Sequence, residues 1–245
     1  MSETWNAVDR YVEGRLIGAD PALDSAVAAS AAAGLPPIAV TPSQGKLLHL
    51  LARSIGARTI LEIGTLGGYS SIWLARALAP GGRLVTLEAE PRYAEVAAAN
   101  IERAGLTAMV DLRVGRALDT LPGLAAELPE PFDFAFIDAD KVHTPDYFKW
   151  ALRTSHPGSL IVADNVIRDG TVVDADSDDP GALGSRRFHE LLHDDRSEVG
   201  GRVSATTIQT VGAKGYDGFT LALVLDDDPP PPASDPGPGA GPSAR

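Results

Sequence analysis

Cysteine is absent from the 245 residues. Disulfides, thiolate zinc sites and cysteine nucleophiles are therefore excluded. Basic charge is scarce: 21 Lys and Arg stand against 33 Asp and Glu, a formal net charge of −12. A chain this acidic has no general electrostatic affinity for nucleic-acid phosphates or anionic lipid. No apolar stretch approaches the roughly 18 residues that a membrane span needs. The start, Met1-Ser2-Glu3-Thr4-Trp5, has neither the basic nor the apolar region of a secretory signal. The expectation is a cytoplasmic protein with no nucleic-acid or membrane partner. What the chain does have is 44% hydrophobic residues, too many for a disordered chain and enough for a sizeable core.

The last 20 residues, Asp226 to Arg245, hold seven Pro and three Gly and no large apolar side chain. They cannot bury enough surface to offset ordering entropy and read as a disordered tail. Residues 1–225 read as one domain whose first 55 residues form a helical cap. There, Trp5, Val8, Val12 and Leu16 fall on one helical face. Asp20-Pro21 and Thr41-Pro42 each pair an N-cap with proline at the first helical position. From Arg58 onward, short apolar runs alternate with helical segments. The runs are Thr59–Ile63, Leu84–Leu87, Val110–Val114, Phe132–Ile137 and Ser159–Ala163. Helices are expected near Ser70–Leu78, Pro91–Ala104, Ala117–Leu128, Pro145–Leu152 and Ala182–His193, then strands near Val203–Thr210 and Gly218–Leu225. The alternation points to an α/β fold, a Rossmann-like sheet of about seven strands with helices on both faces.

The segment from Ile60 to Ser70 reads as a buried strand entering a Gly-rich turn and a helix. Gly64 and Gly68 permit a tight turn and close approach of a ligand to the backbone, and open α/β sheets bind ligands at the carboxyl ends of their strands. The spacing Glu62-x-Gly64-x-x-Gly67-Gly68 is not the G-x-G-x-x-G of dinucleotide sites. A carboxylate in the strand, Glu62, suits a cationic ligand better than a pyrophosphate. Glu88 closes the next strand, where an acid commonly takes ribose hydroxyls; nicotinamide and S-adenosylmethionine (SAM) sites share that feature.

Two further apolar strands end in polar groups: Phe136-Ile137-Asp138-Ala139-Asp140-Lys141 and Ala163-Asp164-Asn165. If these strands are neighbours, Asp138, Asp164 and Asn165 converge at the rim that carries the glycine loop. Two carboxylates and an amide oxygen are hard ligands, suited to Mg²⁺, Mn²⁺ or Ca²⁺. The competing reading is a set of helix N-caps. Lys141, three residues after Asp138, could act as a general base where an adjacent cation favours its neutral form. Its alternative is an ion pair with Asp138 or Asp140.

Together these motifs resemble the cation-dependent class I O-methyltransferases that use SAM, including the catechol and caffeoyl-CoA enzymes and small bacterial relatives. The resemblance rests on Leu61–Ser70, Phe136–Lys141 and Asp164-Asn165, and it spans roughly Val40 to Leu225. It implies strand order 3-2-1-4-5-7-6 with the last strand antiparallel. It further implies that Val40, Glu62, Gly64, Thr65 and Ser70 hold the methionine end of SAM. Glu88 would hold the ribose, Ala89 and Ala117 would flank the adenine, and Asp140 would lie near the cofactor. Asp138, Asp164 and Asn165 would bind a divalent cation, Mg²⁺ first, and Asp138 and Lys141 would be the catalytic pair. The implied acceptor is a small aromatic with adjacent hydroxyls, and the implied assembly is a homodimer. The acid that orients the second hydroxyl in the animal catechol enzyme has no clear match. Arg168–Gly184 and Gly212–Gly218 read as loops of the substrate wall: the first is a lid or, more commonly for so acidic a segment, a solvated loop, and the second is a long loop before the last strand from which Tyr216 or Lys214 could face the substrate. The alternatives are a nicotinamide-dependent oxidoreductase, weakened by the missing glycine fingerprint and the missing Tyr-x-x-x-Lys pair, and a non-catalytic SAM-binding module.

Overall fold

A computed structural model describes residues 2–194 and 196–226; the expected disordered tail, apart from Asp226, lies outside the described residues. Three helices come first: α1 (Ser2–Leu16), α2 (Pro21–Ala32) and α3 (Pro42–Ser54). The two cap signals are realised. Asp20 accepts from the amides of Ala22 and Leu23, and Thr41 accepts from Gln44 N, which satisfies N–H groups that the first helical turn leaves free. Strands and helices then alternate: β1 (Thr59–Ile63), α4 (Tyr69–Ala75), β2 (Arg83–Glu88), α5 (Pro91–Arg103), β3 (Val110–Val114), α6 (Ala117–Glu127), β4 (Phe132–Ile137), α7 (Thr144–Arg153), β5 (Ser155–Asp164), α8 (Pro180–His193), β6 (Val203–Gly212) and β7 (Gly215–Val224).

The seven strands form one sheet in the order β3-β2-β1-β4-β5-β7-β6. β7 runs antiparallel to both β5 and β6. The order and the reversed last strand agree with the expectation. Each side of the sheet carries an apolar cluster. On one face Ile60, Leu84, Phe134, Phe136 and Val162 pack against α2, α3, α4 and α5. On the other, Leu61, Ile63, Val85, Ala135 and Ile161 pack against α6, α7 and α8 through Leu121, Phe148 and Phe188. Burial on both faces is why the central strands read as unbroken apolar runs rather than alternating ones.

Most boundaries shift by a residue or two, and three differ more from the sequence expectation. α4 ends at Ala75 instead of Leu78. β5 begins at Ser155, because Ser155 pairs with Phe132 before the register shifts to Phe134↔Leu160. The segment 212–218 is no long loop: β6 and β7 stay paired out to Gly212↔Gly215, through Thr210↔Asp217 and Val211↔Tyr216. Only Ala213 and Lys214 turn the chain. Along α1, Trp5 and Val12 are half-buried, while Val8, Tyr11 and Leu16 stay exposed. Among the described residues, no helix is long and apolar enough to cross a membrane.

Candidate active site

Register alone brings the polar strand ends together. Ile63 lies opposite Leu87 on one side and Ile137 on the other, and Ile137 lies opposite Ala163. The residues that follow, Gly64, Glu88, Asp138 and Asp164, therefore share one rim of the sheet. Backbone bonds hold them there: Gly64 N donates to Leu87 O at 3.0 Å, and Asp138 N donates to Ile63 O at 2.8 Å. Gly64 has φ +99, and a Cβ built on it would stand 2.0 Å from the Asp138 carbonyl oxygen. The position thus needs glycine for the approach of β1 to β4, before any ligand is considered.

Above this rim lies a cavity of about 490 Å³, within the range of small-molecule sites. Its wall includes Val40, Gly64, Thr65, Ser70, Glu88, Ala89, Ala117, Asp138, Asp140, Lys141 and Asn165. These are all of the expected residues except Glu62 and Asp164. Glu62 is fully buried behind the wall on the α4 side. One carboxylate oxygen accepts from Ser70 Oγ at 2.6 Å; the other accepts from the hydroxyls of Ser71 and Thr86. Burial pushes its pKa up to about 7, against those three hydrogen bonds and with help from the Asp138 charge. Glu62 therefore reaches the cavity through Ser70, whose hydroxyl it fixes. Glu88 takes the amides of Thr65 at 3.2 Å and Leu66 at 2.7 Å on one oxygen, and Glu90 N at 2.9 Å on the other. It braces the glycine loop, with Leu66 at φ +50.

The acidic set stands opposite. Lys141 Nζ donates to Asp138 Oδ1 at 2.8 Å, so of the two pairings considered, the structure shows the one with Asp138. Asp140 accepts from Tyr147 Oη at 2.5 Å and from His143. Burial alone would raise the Asp140 pKa, but those hydrogen bonds outweigh it and hold the carboxyl below its usual range. The same carboxylate, together with burial, drives the Tyr147 hydroxyl upward.

Asp164 is buried and is the last residue of β5. Its Oδ1 takes Asn165 N at 2.8 Å, and its Oδ2 takes Gln44 Nε2 at 2.6 Å. Burial first, then the charge of Asp138, pushes Asp164 up to about 7 against the opposing pull of Lys141. Asn165 is held at φ +56. Among the described residues no three His, Cys, Asp or Glu side chains converge as a metal cluster; the set here is two carboxylates and an amide. Its chemistry suits a hard divalent cation: all donors are oxygens, and the mutual repulsion of the carboxylates is what such an ion relieves.

Tyr147 and Arg168 on the cavity wall, and Gln44 beside it, are not singled out by the sequence. Tyr147 lies six residues beyond Lys141, and Arg168 three beyond Asn165, close to motifs but not in them. Gln44 touches Asp164 from 120 positions away in sequence, and no local pattern signals that contact. Lys214, on the β6–β7 turn, donates to the carbonyl of Ala39, a residue of the cavity wall. This hairpin tip is also pinned by Asp9 of α1, which accepts from Ala213 N at 2.6 Å.

Comparison with known proteins adds identity to this geometry. Residues 18–223 match the O-methyltransferase family. The chain is 52% identical over 223 residues to a catechol O-methyltransferase of Niastella koreensis, covering 91% of this chain and 99% of that protein. It superposes on a Bacillus cereus O-methyltransferase in complex with S-adenosylhomocysteine with a TM-score of 0.88 and 55% identity, covering 91% of this chain and 100% of that one. For the O-methyltransferase TomG of Streptomyces achromogenes, solved with SAM, the values are 0.86 and 55%, covering 92% and 99%.

Proposed function

The chain belongs to the O-methyltransferase family and is a SAM-dependent O-methyltransferase, and we propose that its acceptor is a small catechol-like aromatic, methylated on one of two adjacent hydroxyls with the help of a divalent cation. One observation carries this reading. Asp138, Lys141 and Asn165 stand on the wall of the same cavity as the glycine loop, Ser70 and Glu88, so a methyl donor and an oxygen acceptor have room side by side. The name of the Niastella relative points to the same acceptor class.

In this reading the loop from Gly64 to Ser70, with Val40, holds the donor's amino-acid end, and Ser70 is kept in orientation by Glu62. Glu88 braces the loop through Thr65 and Leu66 and offers its remaining lone pairs to ribose hydroxyls. Ala89 and Ala117 leave flat space for a base. Asp140, fixed by Tyr147 and His143, places a carboxylate near the donor's positive charge. Asp138, Asp164 and Asn165 would hold Mg²⁺, Mn²⁺ or Ca²⁺, which when bound supplies Lewis acidity that lowers the pKa of an attached hydroxyl. Gln44 fixes the orientation of Asp164. Lys141, set by Asp138, is within the wall to take the proton of the attacked hydroxyl or to hold the resulting anion. The oxygen then displaces the thioether from the methyl carbon in line. Because the donor is already activated, the protein's contribution is orientation and charge placement.

The reading includes residues 1–225 as one methyltransferase domain, supported by the two apolar clusters that share a single sheet. It also includes a homodimer, supported by the exposed Val8, Tyr11 and Leu16 of α1. The experiment is release of S-adenosylhomocysteine from SAM with catechol and with phenol, in Mg²⁺ and in EDTA. Turnover of catechol alone, lost in EDTA, supports the reading. Turnover that ignores EDTA removes the cation, and equal turnover of phenol removes the catechol.

A further inference from the structure

Two cationic residues line the cavity, Lys141 and Arg168. Lys141 is paired with Asp138; Arg168 is not paired. A guanidinium carries five N–H donors. Among the described residues the Arg168 side chain forms no ion pair and donates no hydrogen bond, and its Nε is buried without a partner. Burying that one donor unsatisfied is costly, and among the described residues the terminal guanidinium nitrogens have no protein acceptor either. The guanidinium rests on the first turn of α8, with Nε 3.1 Å from where a Gly181 Cβ would stand. Asp179 Oδ2, the N-cap carboxylate, lies 3.1 Å from the same point, but it accepts from Ala182 N at 2.6 Å and is not in ion-pair contact with the guanidinium, and the helix start itself carries positive potential.

The backbone beneath it is held rather than loose. Arg168 and Asp169 sit at φ +58 and +52, a conformation that non-glycine residues keep only where their surroundings enforce it. Asp217 enforces it: its Oδ1 accepts from the amides of Ile167 and Arg168, both at 3.0 Å. The hairpin that carries Asp217 also carries Lys214, which spans to Ala39 on the cavity wall and forms no ion pair among the described residues. Desolvation lowers the Lys214 pKa, while the charges of Asp138 and Asp164 act against that fall. The ammonium thus lies within the field of the site.

We propose that Arg168, assisted by Lys214, forms an anion-reading wall, so that the acceptor is a catechol bearing a carboxylate on the ring or on a short side chain. The inference rests on the catechol reading above and narrows it. A planar guanidinium with free parallel donors matches a carboxylate. The two cations come from separate segments, the loop after Asn165 and the β6–β7 turn, which pack together where a Cβ on Gly170 would lie 3.4 Å from Tyr216.

The test uses the full chain with SAM, Mg²⁺ and three acceptors: 3,4-dihydroxybenzoate, its methyl ester and catechol. The expected kcat/KM for the acid exceeds that for the ester by about tenfold or more, the usual scale of a charge-assisted hydrogen bond. Arg168→Gln should collapse that ratio, with the loss in KM for the acid, and Lys214→Met should reduce it less. Calorimetric binding of the acid to the protein loaded with S-adenosylhomocysteine should weaken in parallel. Should Arg168→Gln not fold, the wild-type protein still decides: raising ionic strength should raise KM for the acid and spare the ester. Equal efficiency for acid and ester, or a ratio that Arg168→Gln leaves unchanged, overturns the proposal. Turnover of none of the three overturns the catechol reading and this inference with it, an outcome distinct from turnover blind to charge.

Discussion

Two glycines in helices should respond to alanine with opposite signs. Replacing a mid-helix glycine by alanine ordinarily stabilises by about 0.5–1 kcal/mol, because the unfolded chain has less freedom to lose. Gly123 in α6 is exposed, and a Cβ there meets nothing within 4 Å, so Gly123→Ala should show that full gain. Gly184 in α8 is buried, and a Cβ there would stand 2.0 Å from the carbonyl oxygen of Lys141 and 2.9 Å from Cα of Val142. Those atoms are backbone and cannot swing away. Overpacking of this kind costs about 1–3 kcal/mol, which exceeds the helical gain and leaves a net loss of about 1–2 kcal/mol. At this chain length 1 kcal/mol moves Tm by roughly 2–4 °C. Gly123→Ala should therefore melt a few degrees higher and Gly184→Ala a few degrees lower, by calorimetry. Because the displaced carbonyl belongs to Lys141, Gly184→Ala should also lose kcat, while Gly123→Ala should not. A higher Tm for Gly184→Ala would refute the claim that close packing of α8 on residues 141–142 selects glycine there.

Other consequences are as specific. Glu62 titrates near 7 in the fold against about 4.5 when unfolded, so the folded state binds the extra proton between these values. From Glu62 alone, stability should be greatest at the acid end of that window and fall by up to roughly 3 kcal/mol as pH rises through it; Asp164, also pushed up to about 7, adds a fall of the same sign, so urea unfolding of the metal-free protein at pH 5 and 7.5 reads the combined slope, and Glu62→Gln should reduce it without abolishing it. Asp138→Ala should abolish metal-dependent methyl transfer while SAM still raises Tm, and retention of full activity would remove Asp138 from the chemistry. Gln44→Leu leaves one oxygen of Asp164 without its donor, so the Mg²⁺ concentration for half-maximal activity should rise about tenfold; an unchanged Mg²⁺ titration would show that the Gln44 contact does not matter.

Much of the fold was legible because its strands are buried on both faces. β1 and β4, almost wholly buried, fall at the boundaries that the apolar runs indicated, and so does the less buried edge strand β3. Signals failed where backbone geometry, not side-chain burial, defines the element. The first residues of β5, Ser155-His156-Pro157-Gly158, contain no apolar side chain and include a proline and a glycine, yet pairing with Phe132 makes them strand. The β6–β7 extension reads as a loop for a related reason. β6 is an edge strand, mostly exposed, so no buried face imposes the alternation that would reveal it.

The site divides along the same line. Asp138 and Asn165 were legible because each follows an apolar strand directly, and a parallel sheet places such residues on one rim whatever their chemistry; Lys141 was legible by its spacing of three from Asp138. Glu62 was recognised as anomalous in an apolar strand but assigned to the ligand. The side alternation of β1 turns it toward α4, where three hydroxyls occupy it. Its contribution is thus one step removed: it sets Ser70. Gln44 could not be found locally, since it is brought in by an element whose own pattern reports only that it is a helix, whereas Lys214 stands out with Tyr216 in the segment before the last strand. The chemistry common to the family is written into strand ends, where sequence is easiest to read. In the reading proposed above, choice of acceptor rests on Arg168 and the hairpin that holds it, where the informative facts are a left-handed backbone, a guanidinium unpaired among the described residues and the contact of Lys214 with Ala39.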